Sequence, residues 1–434
     1  MRLIFKNKVY RFLTISRLLN SMESSLYNIV FIVYAANMFH SKIIVSLANI
    51  TMVIPTIFTV FVGIKADNTL NKRRFLILTG FIQAILFTIV SFIINEATLL
   101  VFSIISLFNI ISDIFSDYSN GLRMPIIQKN IEQADLIEAY SFTQFISYIC
   151  NLSGQAIGVW LLNISQNNFA NIALVNALSF FLSACVLIPV KKELTYEKIT
   201  KEISSDSFMK QLSEMFTSIK MIFNESSTTS FIHLLIAILL LNTIGGSITA
   251  IYNIFLLNQS ILNFSYSQGL LVVEAILVGG ILVGSLTPHD YFSKLPIDNL
   301  LKITAVVFIL VGLSNLFHLS PIIGILLLSF ATYLSGKVNP KINSLLLTNL
   351  PSNVLARTSN FLSLLFTLSI PIGTAVFSIV SSWNMNMTWL IFTIITVTIL
   401  LLSVKKQSKS LSLLPISLPT TLTYISSSFF CFST

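Results

Sequence analysis

The chain has 434 residues, of which 54% are hydrophobic and only 10% are charged, and its mean hydropathy is +0.85. Soluble domains carry about a quarter charged residues, so this composition requires a lipid bilayer and excludes an ordinary soluble protein. The net charge of +9 does not indicate a nucleic-acid partner, because the enrichment of Lys and Arg in cytoplasmic loops gives membrane proteins a basic balance.

Apolar runs long enough for a membrane-spanning helix recur along the chain. Such a helix needs about 20 mostly apolar residues. Breaks at charges, prolines and Asn/Ser clusters predict twelve spans, at 13–37, 42–63, 75–95, 98–122, 139–163, 169–190, 231–256, 267–287, 300–318, 321–336, 356–380 and 387–404. The tenth is short and could extend to about Leu347. The predicted fold class is therefore all-α and integral to the membrane.

The Lys and Arg residues indicate how these spans are oriented. With a cytoplasmic N-terminus, twelve spans place every Lys and Arg except Lys42 on the cytoplasmic side. A wrong count would distribute the charges over both faces, so we predict an even number of spans with both termini in the cytoplasm. The basic residues at 2–11 precede a run too long for a cleavable signal peptide, so the first span is expected to be retained.

One long polar stretch, 191–230, separates the spans into two groups of six. In it, Phe208, Leu212 and Phe216 have helical spacing, which predicts an amphipathic helix at the cytoplasmic interface. The predicted organisation is an N-terminal six-helix bundle at 1–190, this linker, a C-terminal six-helix bundle at 231–404 and a cytoplasmic tail at 405–434. The tail beyond residue 409 is uncharged and has two prolines, and no role is assigned to it.

The turn between the second and third spans, at 63–74, reads GIKADNTLNKRR. Together with the two groups of six spans and the central linker, it resembles the major facilitator superfamily, over nearly the whole chain to about Lys409. That family's loop signature is a Gly, three residues, an Asp, a second Gly and a basic cluster. The matching residues are Gly63, Ala66, Asp67, Lys72 and Arg73. Asn68 replaces the usual basic residue, and the second Gly is absent.

The stretch 124–162 is similar to the macrolide-efflux-like branch of the drug:proton antiporters. It has Pro125 after the fourth span and then SGQAIG in the fifth. The branch has a GPxxGG element there, but Gln155 replaces its Pro and Val159 its last Gly. Gly154 and Gly158 are spaced for close helix packing. Gly373 has the corresponding position in the eleventh span. It lies 16 residues after Arg357 at the start of that span, as Gly154 lies 16 residues after Glu138 at the start of the fifth span.

The 63–74 turn is predicted to act as a conformational latch. Asp67 is expected to face the N-terminus of the eleventh span near 352–358, where the partial positive charge of a helix end stabilises a carboxylate. Arg123, at the same face, is a second candidate partner. Alternatively, Asp67 only caps the third span or a turn. The residues assigned to the latch are Gly63, Asp67, Lys72, Arg73, Arg74 and Arg123.

Four acidic residues fall inside predicted spans: Glu23, Asp113, Asp117 and Glu274. An acid at a helix centre costs about 2.5–3.5 kcal/mol on insertion scales, and intramembrane acids are functional by default. Asp113 and Asp117 are four residues apart and so share a helix face. No basic residue is predicted at mid-depth, because Arg17 is expected to extend to the cytoplasmic end. We therefore expect these acids to carry protons or contact substrate. A water-exposed position at the cytoplasmic mouth is the alternative for Asp117.

The family resemblance implies that spans one, four, seven and ten line a central cavity, where Glu23, Asp113 and Asp117 would converge. Glu274 would lie between the two halves. Polar residues predicted to line the cavity are Asn242, Thr243, Tyr252, Asn253 and Tyr333. A mostly apolar chamber with a few acids suits a lipophilic solute, neutral or cationic. An anionic substrate is disfavoured, because it would need Lys or Arg at mid-depth.

The sequence lacks GxxxxGK[ST], HExxH and GxSxG motifs, so we predict neither enzyme activity nor a cofactor. The four His have no ligand spacing, so we predict no metal site. The predicted function is export of lipophilic, macrolide-like or mixed drugs, coupled to proton influx by rocking of the two bundles. We predict a monomer in a bacterial plasma membrane, with lipid, protons and a small molecule as partners and no nucleic acid.

Two alternative functions remain open at this point. Within transport, the chain could export a siderophore or peptide or take up a nutrient. From a different class, it could be a transport-inactive immunity factor, sensor or scaffold. The departures at Asn68 and Gln155 favour this second alternative.

Overall fold

A computed structural model describes residues 2–132, 135–196, 231–261, 263–287, 289–349 and 352–404. In these ranges there is no β-strand, and twelve helices have 19 residues or more. They are α1 Lys8–Phe39, α2 Lys42–Asp67, α3 Lys72–Ile93, α4 Leu99–Asn130, α5 Leu136–Ile164, α6 Phe169–Leu187, α7 Phe231–Phe255, α8 Tyr266–Leu286, α9 Ile297–Leu316, α10 Pro321–Asn349, α11 Ser352–Trp383 and α12 Met385–Val404. Arg2–Lys6 and Tyr291–Lys294 are short helices. The predicted linker helix and the 405–434 tail lie outside the described residues.

Eleven helices within the described ranges, α2 to α12, are long and apolar enough to cross a membrane. The exception is α1, whose 32 residues include Arg11, Arg17 and Glu23. Polar residues of α1 are nevertheless buried: Asn20 is 4% exposed and Glu23 is 3% exposed. Its low hydropathy thus reflects a position inside the protein. The count of twelve spans and the sides of the termini stay predictions.

The helices follow the predicted spans closely, but two are longer at the ends where prolines occur. The fourth span was predicted to end before Pro125, yet α4 continues through it to Asn130. The tenth span is one helix from Pro321 to Asn349, which agrees with its expected extension to about Leu347. Proline removes one backbone hydrogen bond, but in a membrane helix the neighbouring helices and polar side chains can satisfy the freed group. A proline is therefore a weaker break here than in a soluble protein.

The first six helices and the last six pack in the same pairs. In the first set, α1 packs against α5 and α6, α2 against α4, and α3 against α4 and α6. In the second set, α7 packs against α11 and α12, α8 against α10, and α9 against α10 and α12. Adding six to each helix number in the pairs of the first set gives the pairs of the second set. The chain therefore contains a structural repeat of six helices.

Of the three glycines predicted to pack helices, Gly154 and Gly373 occupy equivalent places in this repeat, and Gly158 lies one turn after Gly154. A Cβ at Gly154 would lie 2.4 Å from the carbonyl oxygen of Met22 in α1, and one at Gly373 would lie 2.3 Å from that of Thr243 in α7. A Cβ at Gly158 would lie 2.9 Å from the carbonyl oxygen of Leu26. A larger residue would push α5 from α1, or α11 from α7, because cores resist added atoms.

The buried core differs between the two ends of the helices. We call the end that holds residues 68–71 the basic face and the end that holds residues 40–41 the opposite face. One large apolar cluster includes residues from 26–36 of α1 and 234–255 of α7, and so joins both sets. A second cluster lies at the basic face, and its described members all come from residues 3–194. The two sets therefore share a core toward the opposite face.

Contacts between the two sets follow the same trend. The most extensive contact is between α2 and α11, and smaller ones join α5 to α8 and α1 to α8. The side chain of Asn253 in α7 donates a hydrogen bond to Oδ1 of Asn49 in α2 at 2.6 Å, and Asn49 donates to the carbonyl oxygen of Ala250 at 3.3 Å. Both hydrogen bonds lie near the opposite face.

Candidate functional site

A cavity of 580 Å³ lies in the second set of helices, with Glu274 of α8 on its wall. Residues from α7, α9, α10 and α11 complete the lining, and most of them are apolar or glycine. Polar side chains at the wall include Asn242, Thr249 and Thr332. An apolar cavity of this size with a few convergent polar groups is typical of a small-molecule site.

A second, small cavity of 30 Å³ brings Glu274 to the junction of the two sets. It is lined by Asn28 of α1 and Gln155 of α5 from the first set, and by Thr249 and Asn253 of α7 from the second. The side chains of Thr249 and Gln155 lie beside the Glu274 carboxyl group. A volume of this size holds about one water molecule. Glu274 therefore lies at the junction and also faces the larger cavity.

A column of polar side chains runs through the interior of the first set. Near the basic face, Ser16 of α1 and Ser183 of α6 are hydrogen-bonded at 3.0 Å. One turn further along α1, Asn20 donates to Oγ of Ser116 in α4 at 3.5 Å, and Gln83 of α3 donates to the same oxygen at 2.9 Å. These hydrogen bonds connect four helices through buried groups.

Glu23 lies next in this column, inside the first set. Neither of its carboxyl oxygens has a hydrogen-bond partner in the described part of the chain. Asn176 of α6 lies beside the carboxyl group without such a bond, and Asp113 of α4 is close enough to interact with it electrostatically. An isolated buried charge is costly. Glu23 is therefore near Asp113, as predicted, but it lines neither of the two cavities described above.

Asp113 and Asp117, the other two intramembrane acids of the first set, are partly buried. Asp117 accepts a hydrogen bond from the hydroxyl of Thr59 in α2 at 3.1 Å. Asp113, one turn earlier on α4, is close enough to interact electrostatically with Asp117. Within the described ranges, no Lys or Arg lies within 4.0 Å of either carboxylate.

The polar residues that we predicted in one cavity are distributed over several places. Asn242 faces the large cavity, and Asn253 faces the small one while bonding to Asn49. Thr243 donates to the carbonyl oxygens of Leu239 and, in α11, Ser369. It therefore contributes to the α7–α11 contact.

Two predicted cavity tyrosines lie elsewhere in the structure. Tyr252 is 2% exposed and packs edge-on against Phe255 and Trp389 in the shared core. Tyr333 lies near the basic face, where its hydroxyl donates a hydrogen bond to the carboxylate of Asp290. Helical register alone did not distinguish these positions, because α7 and α10 are apolar on most sides.

The turn at 63–74 is stabilised by a lysine acting on backbone oxygens. Lys72 is 2% exposed, and its Nζ donates to the carbonyl oxygens of Ala66 at 2.6 Å and Asp67 at 2.7 Å. It thereby satisfies carbonyl groups at the C-terminal end of α2. Arg73 and Arg74 are exposed, and a Cβ at Gly63 would meet no atom within 4 Å.

Asp67 itself is exposed, and in the described portion of the chain its carboxylate has no hydrogen bond or ion pair. Arg123 does not pair with it: the Arg123 guanidinium donates to Asn120 and Ser16, both at 3.2 Å, and is 2% exposed. The side chains of 352–358 lie outside the described residues, so the predicted contact with the start of α11 stays a prediction.

The turn after α8 contains an ion pair that sequence analysis missed. Nζ of Lys337 in α10 lies 2.5 Å from Oδ2 of Asp290. Lys337 also donates to the carbonyl oxygens of Gly284 at 3.1 Å and Thr287 at 2.9 Å. Partial desolvation acts to raise the pKa of Asp290, but hydrogen bonds from Lys337, Tyr333 and Ser293 outweigh it and hold this pKa well below its usual range.

The six-helix repeat is the signal that would have found this pair. Asp290 follows α8 as Asp67 ends α2, and Lys337 is in α10 as Arg123 is in α4. An alignment of the two halves at the level of helices would have pointed to the Asp290 turn as the counterpart of the 63–74 turn.

Two equivalent sets of long apolar helices, with an apolar cavity in the second set, define a multi-pass membrane transporter. The sequence profile of the Major Facilitator Superfamily matches residues 13–374. The chain belongs to this superfamily. No curated protein matches the chain by sequence.

Solved structures with a similar fold are distant in sequence. A bacterial homolog of the human lysosomal transporter Spinster, inward-facing and unoccupied, is 13% identical with a TM-score of 0.65, covering 91% of this chain and 96% of that one. The nucleoside transporter NupG is 14% identical, with a TM-score of 0.64 and coverage of 91% and 98%. A POT family transporter in complex with 5-aminolevulinic acid is 15% identical, with a TM-score of 0.64 and coverage of 92% and 96%. At these identities the similarity extends to the fold alone.

Proposed function

We propose that this chain exports lipophilic small molecules in exchange for protons, by rocking of 1–190 against 231–404. The observation that carries this proposal is the position of Glu274, which faces both the 580 Å³ apolar cavity and the small cavity at the junction of the two sets. A titratable group at that place is exposed to solute on one side and to the moving interface on the other. Protonation and solute binding can then compete there.

The orientation that follows from the positive-inside rule puts the basic face in the cytoplasm. The shared core and the Asn49–Asn253 hydrogen bond then lie on the external side, which corresponds to an inward-facing state. Breaking these contacts while forming new ones near the 63–74 turn would open the external side. Asp67, exposed here, would act as the latch by meeting the start of α11 in the other state.

The acids of the first set are proposed to pass protons. Asp113 and Asp117 share a face of α4, and Asp113 interacts with the buried Glu23. The polar column around Gln83 and Asn20 supplies side chains that can hydrogen-bond to a carboxyl group in either protonation state. Glu274 is therefore proposed as the coupling residue at the solute site, with Glu23, Asp113 and Asp117 as relay groups.

The test is efflux of three fluorescent lipophilic dyes, one anionic, one neutral and one cationic, from bacterial cells that lack their own drug pumps, with and without an uncoupler. We expect efflux that stops when the proton gradient collapses, at least a tenfold loss in Glu274→Gln, and a smaller loss in Asp113→Asn and Glu23→Gln. Glu96→Gln is the matched control, because Glu96 is an exposed acid in the loop between α3 and α4.

Two outcomes would contradict the proposal. Efflux that persists in the uncoupled cells would exclude proton coupling, and unaltered efflux in Glu274→Gln would remove that residue from the mechanism. Purified protein in liposomes that shows no solute-dependent proton movement with a panel of macrolides and mixed drugs would favour the transport-inactive alternative.

A further inference from the structure

Two arginines come together inside the first set of helices. Arg123 of α4 is 2% exposed and Arg17 of α1 is partly buried, and the two guanidinium groups are close enough to repel each other. Arg17 lies nine residues into α1 and Arg123 seven residues before the end of α4. At 1.5 Å per residue, these positions are roughly 10–14 Å from the helix ends at the basic face.

The contacts of both arginines are with neutral groups. Arg17 donates to Oγ of Ser147 in α5 at 3.3 Å, whereas Arg123 donates to Ser16 and Asn120, both at 3.2 Å. The Nε atoms of both arginines are buried and have no hydrogen-bond partner among the described residues. Over the same residues, no carboxylate lies within 4.0 Å of either guanidinium.

Within the part of the chain that the structure describes, no carboxylate balances these two positive charges. An arginine stays charged in a protein, and burying a charge costs several kcal/mol unless a counter-charge and hydrogen bonds offset it. Weak bonds to hydroxyl and amide groups do not offset two adjacent positive charges. Guanidinium groups bind carboxylate and phosphate oxygens through two parallel N–H donors, and the buried Nε atoms are unused donors of this kind.

We propose that Arg17 and Arg123 together bind an anionic group, a carboxylate or phosphate, of the transported solute. This rests on the proposed function and narrows the lipophilic solute to one with an acidic head group. Arg17, which was expected to extend to the cytoplasmic end, instead turns toward α5. Its partial exposure leaves one side of the pair accessible to a ligand.

The test is binding to the purified full-length protein in detergent, with hexyl phosphate and hexanoate as anionic probes and hexylamine as the cationic counterpart. We expect both anions to raise Tm and hexylamine to have no effect. Kd for hexyl phosphate should increase at least tenfold in Arg17→Gln and Arg123→Gln. Arg11→Gln is the matched control, because the Arg11 guanidinium packs over the ring of Phe12 in its own helix.

Several outcomes would overturn this assignment. An equal increase in Tm with hexylamine and with hexyl phosphate would overturn it. This result needs only the wild-type protein, so it holds even if the Arg→Gln variants fail to fold. An unchanged Kd in folded variants would also overturn the assignment. Retention of an anionic phospholipid by the wild type but not by the Arg17→Gln/Arg123→Gln double variant would identify a lipid head group as the occupant.

Inorganic phosphate added alone distinguishes a free anion from an amphiphile. Competition by phosphate with an affinity equal to that of hexyl phosphate would exclude a role for the apolar chain and so contradict a lipophilic solute. Binding in detergent requires no proton gradient, so a failure of coupled efflux and a failure of anion binding are separate results.

Discussion

The turns after α2 and after α8 follow equivalent helices of the repeat, yet their charged side chains are held in different ways. At both turns a buried lysine donates to carbonyl oxygens at the end of the preceding helix. Lys72, the first residue of α3, binds the end of α2, and Lys337 of α10 binds the end of α8. The carboxylates differ. Asp290 is bound by Lys337, Tyr333 and Ser293, whereas Asp67 is exposed.

This difference is consistent with the latch proposed for Asp67. The α8 turn is fixed to α10 by an ion pair and by close backbone packing, so it can move only together with α10. The 63–74 turn keeps its own helix end capped but leaves its carboxylate available for a new partner. A latch between two states needs such a group, because a contact can bias an equilibrium only if it differs between the states.

The substitution with the largest expected effect on the difference between the two turns is Lys337→Met. We expect it to lower the free energy of unfolding by about 3 kcal/mol, because it leaves the carbonyl oxygens of Gly284 and Thr287 and the partly exposed Asp290 carboxylate without their charged donor. Thermal unfolding of the purified protein measures this. Lys302→Met is the control, since Lys302 donates to Asn299 at an exposed site. A smaller loss than in Lys72→Met would contradict the view that the α8 turn is the more firmly held.

Alanine substitutions at Gly284, near the end of α8, and at Gly63, near the end of α2, test the same difference between the two turns. A Cβ at Gly284 would lie 2.1 Å from the carbonyl oxygen of Tyr333, whereas a Cβ at Gly63 would meet nothing within 4 Å. We expect Gly284→Ala to cost about 2 kcal/mol through displacement of α8 from α10. Gly63→Ala should leave Tm unchanged or slightly higher, because it restricts the unfolded chain. Equal losses in both variants would show that the two ends are packed alike.

Asp290→Asn should have a smaller effect that depends on pH. The pKa of Asp290 is lowered in the folded state, so its contribution to stability is present above the unfolded pKa of about 3.9 and is lost as pH falls toward the folded pKa. The variant should therefore have a lower Tm than the wild type from pH 7 to 5, and the difference should decrease below about pH 4. A difference that stays constant down to pH 3 would exclude the ion pair as its cause.

The smallest effect on stability is expected for Asp67→Asn. An exposed side chain away from special features changes the free energy of unfolding by less than about 0.5 kcal/mol. We nevertheless expect its transport rate to decrease, because the proposed latch to α11 requires the charge. Efflux and Tm measured on the same preparations separate these effects. A large drop in Tm would mean that Asp67 already has a structural role in this state.

Several features of the fold could be predicted from residues alone. The apolar runs and their charged ends placed the long helices within a few residues, and the family signature around Asp67 pointed to the Major Facilitator Superfamily, to which the chain belongs. Helix ends were less accurate at prolines, because Pro125 does not end α4. The macrolide-efflux branch rested on half of a motif around Gln155 and stays a prediction.

The candidate site was less predictable because it depends on which helix faces which. Tyr252 and Asn253 are adjacent in α7, yet Tyr252 packs against Trp389 in the core and Asn253 bonds to Asn49 across the junction. Glu23 was expected in the central cavity and lies in the polar column beside Asn176. A nearly uniformly apolar helix has no strong polar face, so its sequence does not show which side faces the interior of the protein.

The sequence by itself determined that this chain is a multi-pass helical membrane protein, because transfer of its apolar runs from water to lipid dominates every local preference. It also identified the acids that are unusual in such runs. Only the tertiary structure decided which charged residues meet: Lys337 lies beside Asp290, and Arg17 lies beside Arg123 with no acid within 4.0 Å of either arginine among the described residues. The physical reason is that hydrophobic burial depends on composition over some twenty residues, whereas ion pairs depend on angstrom distances between helices far apart in the chain.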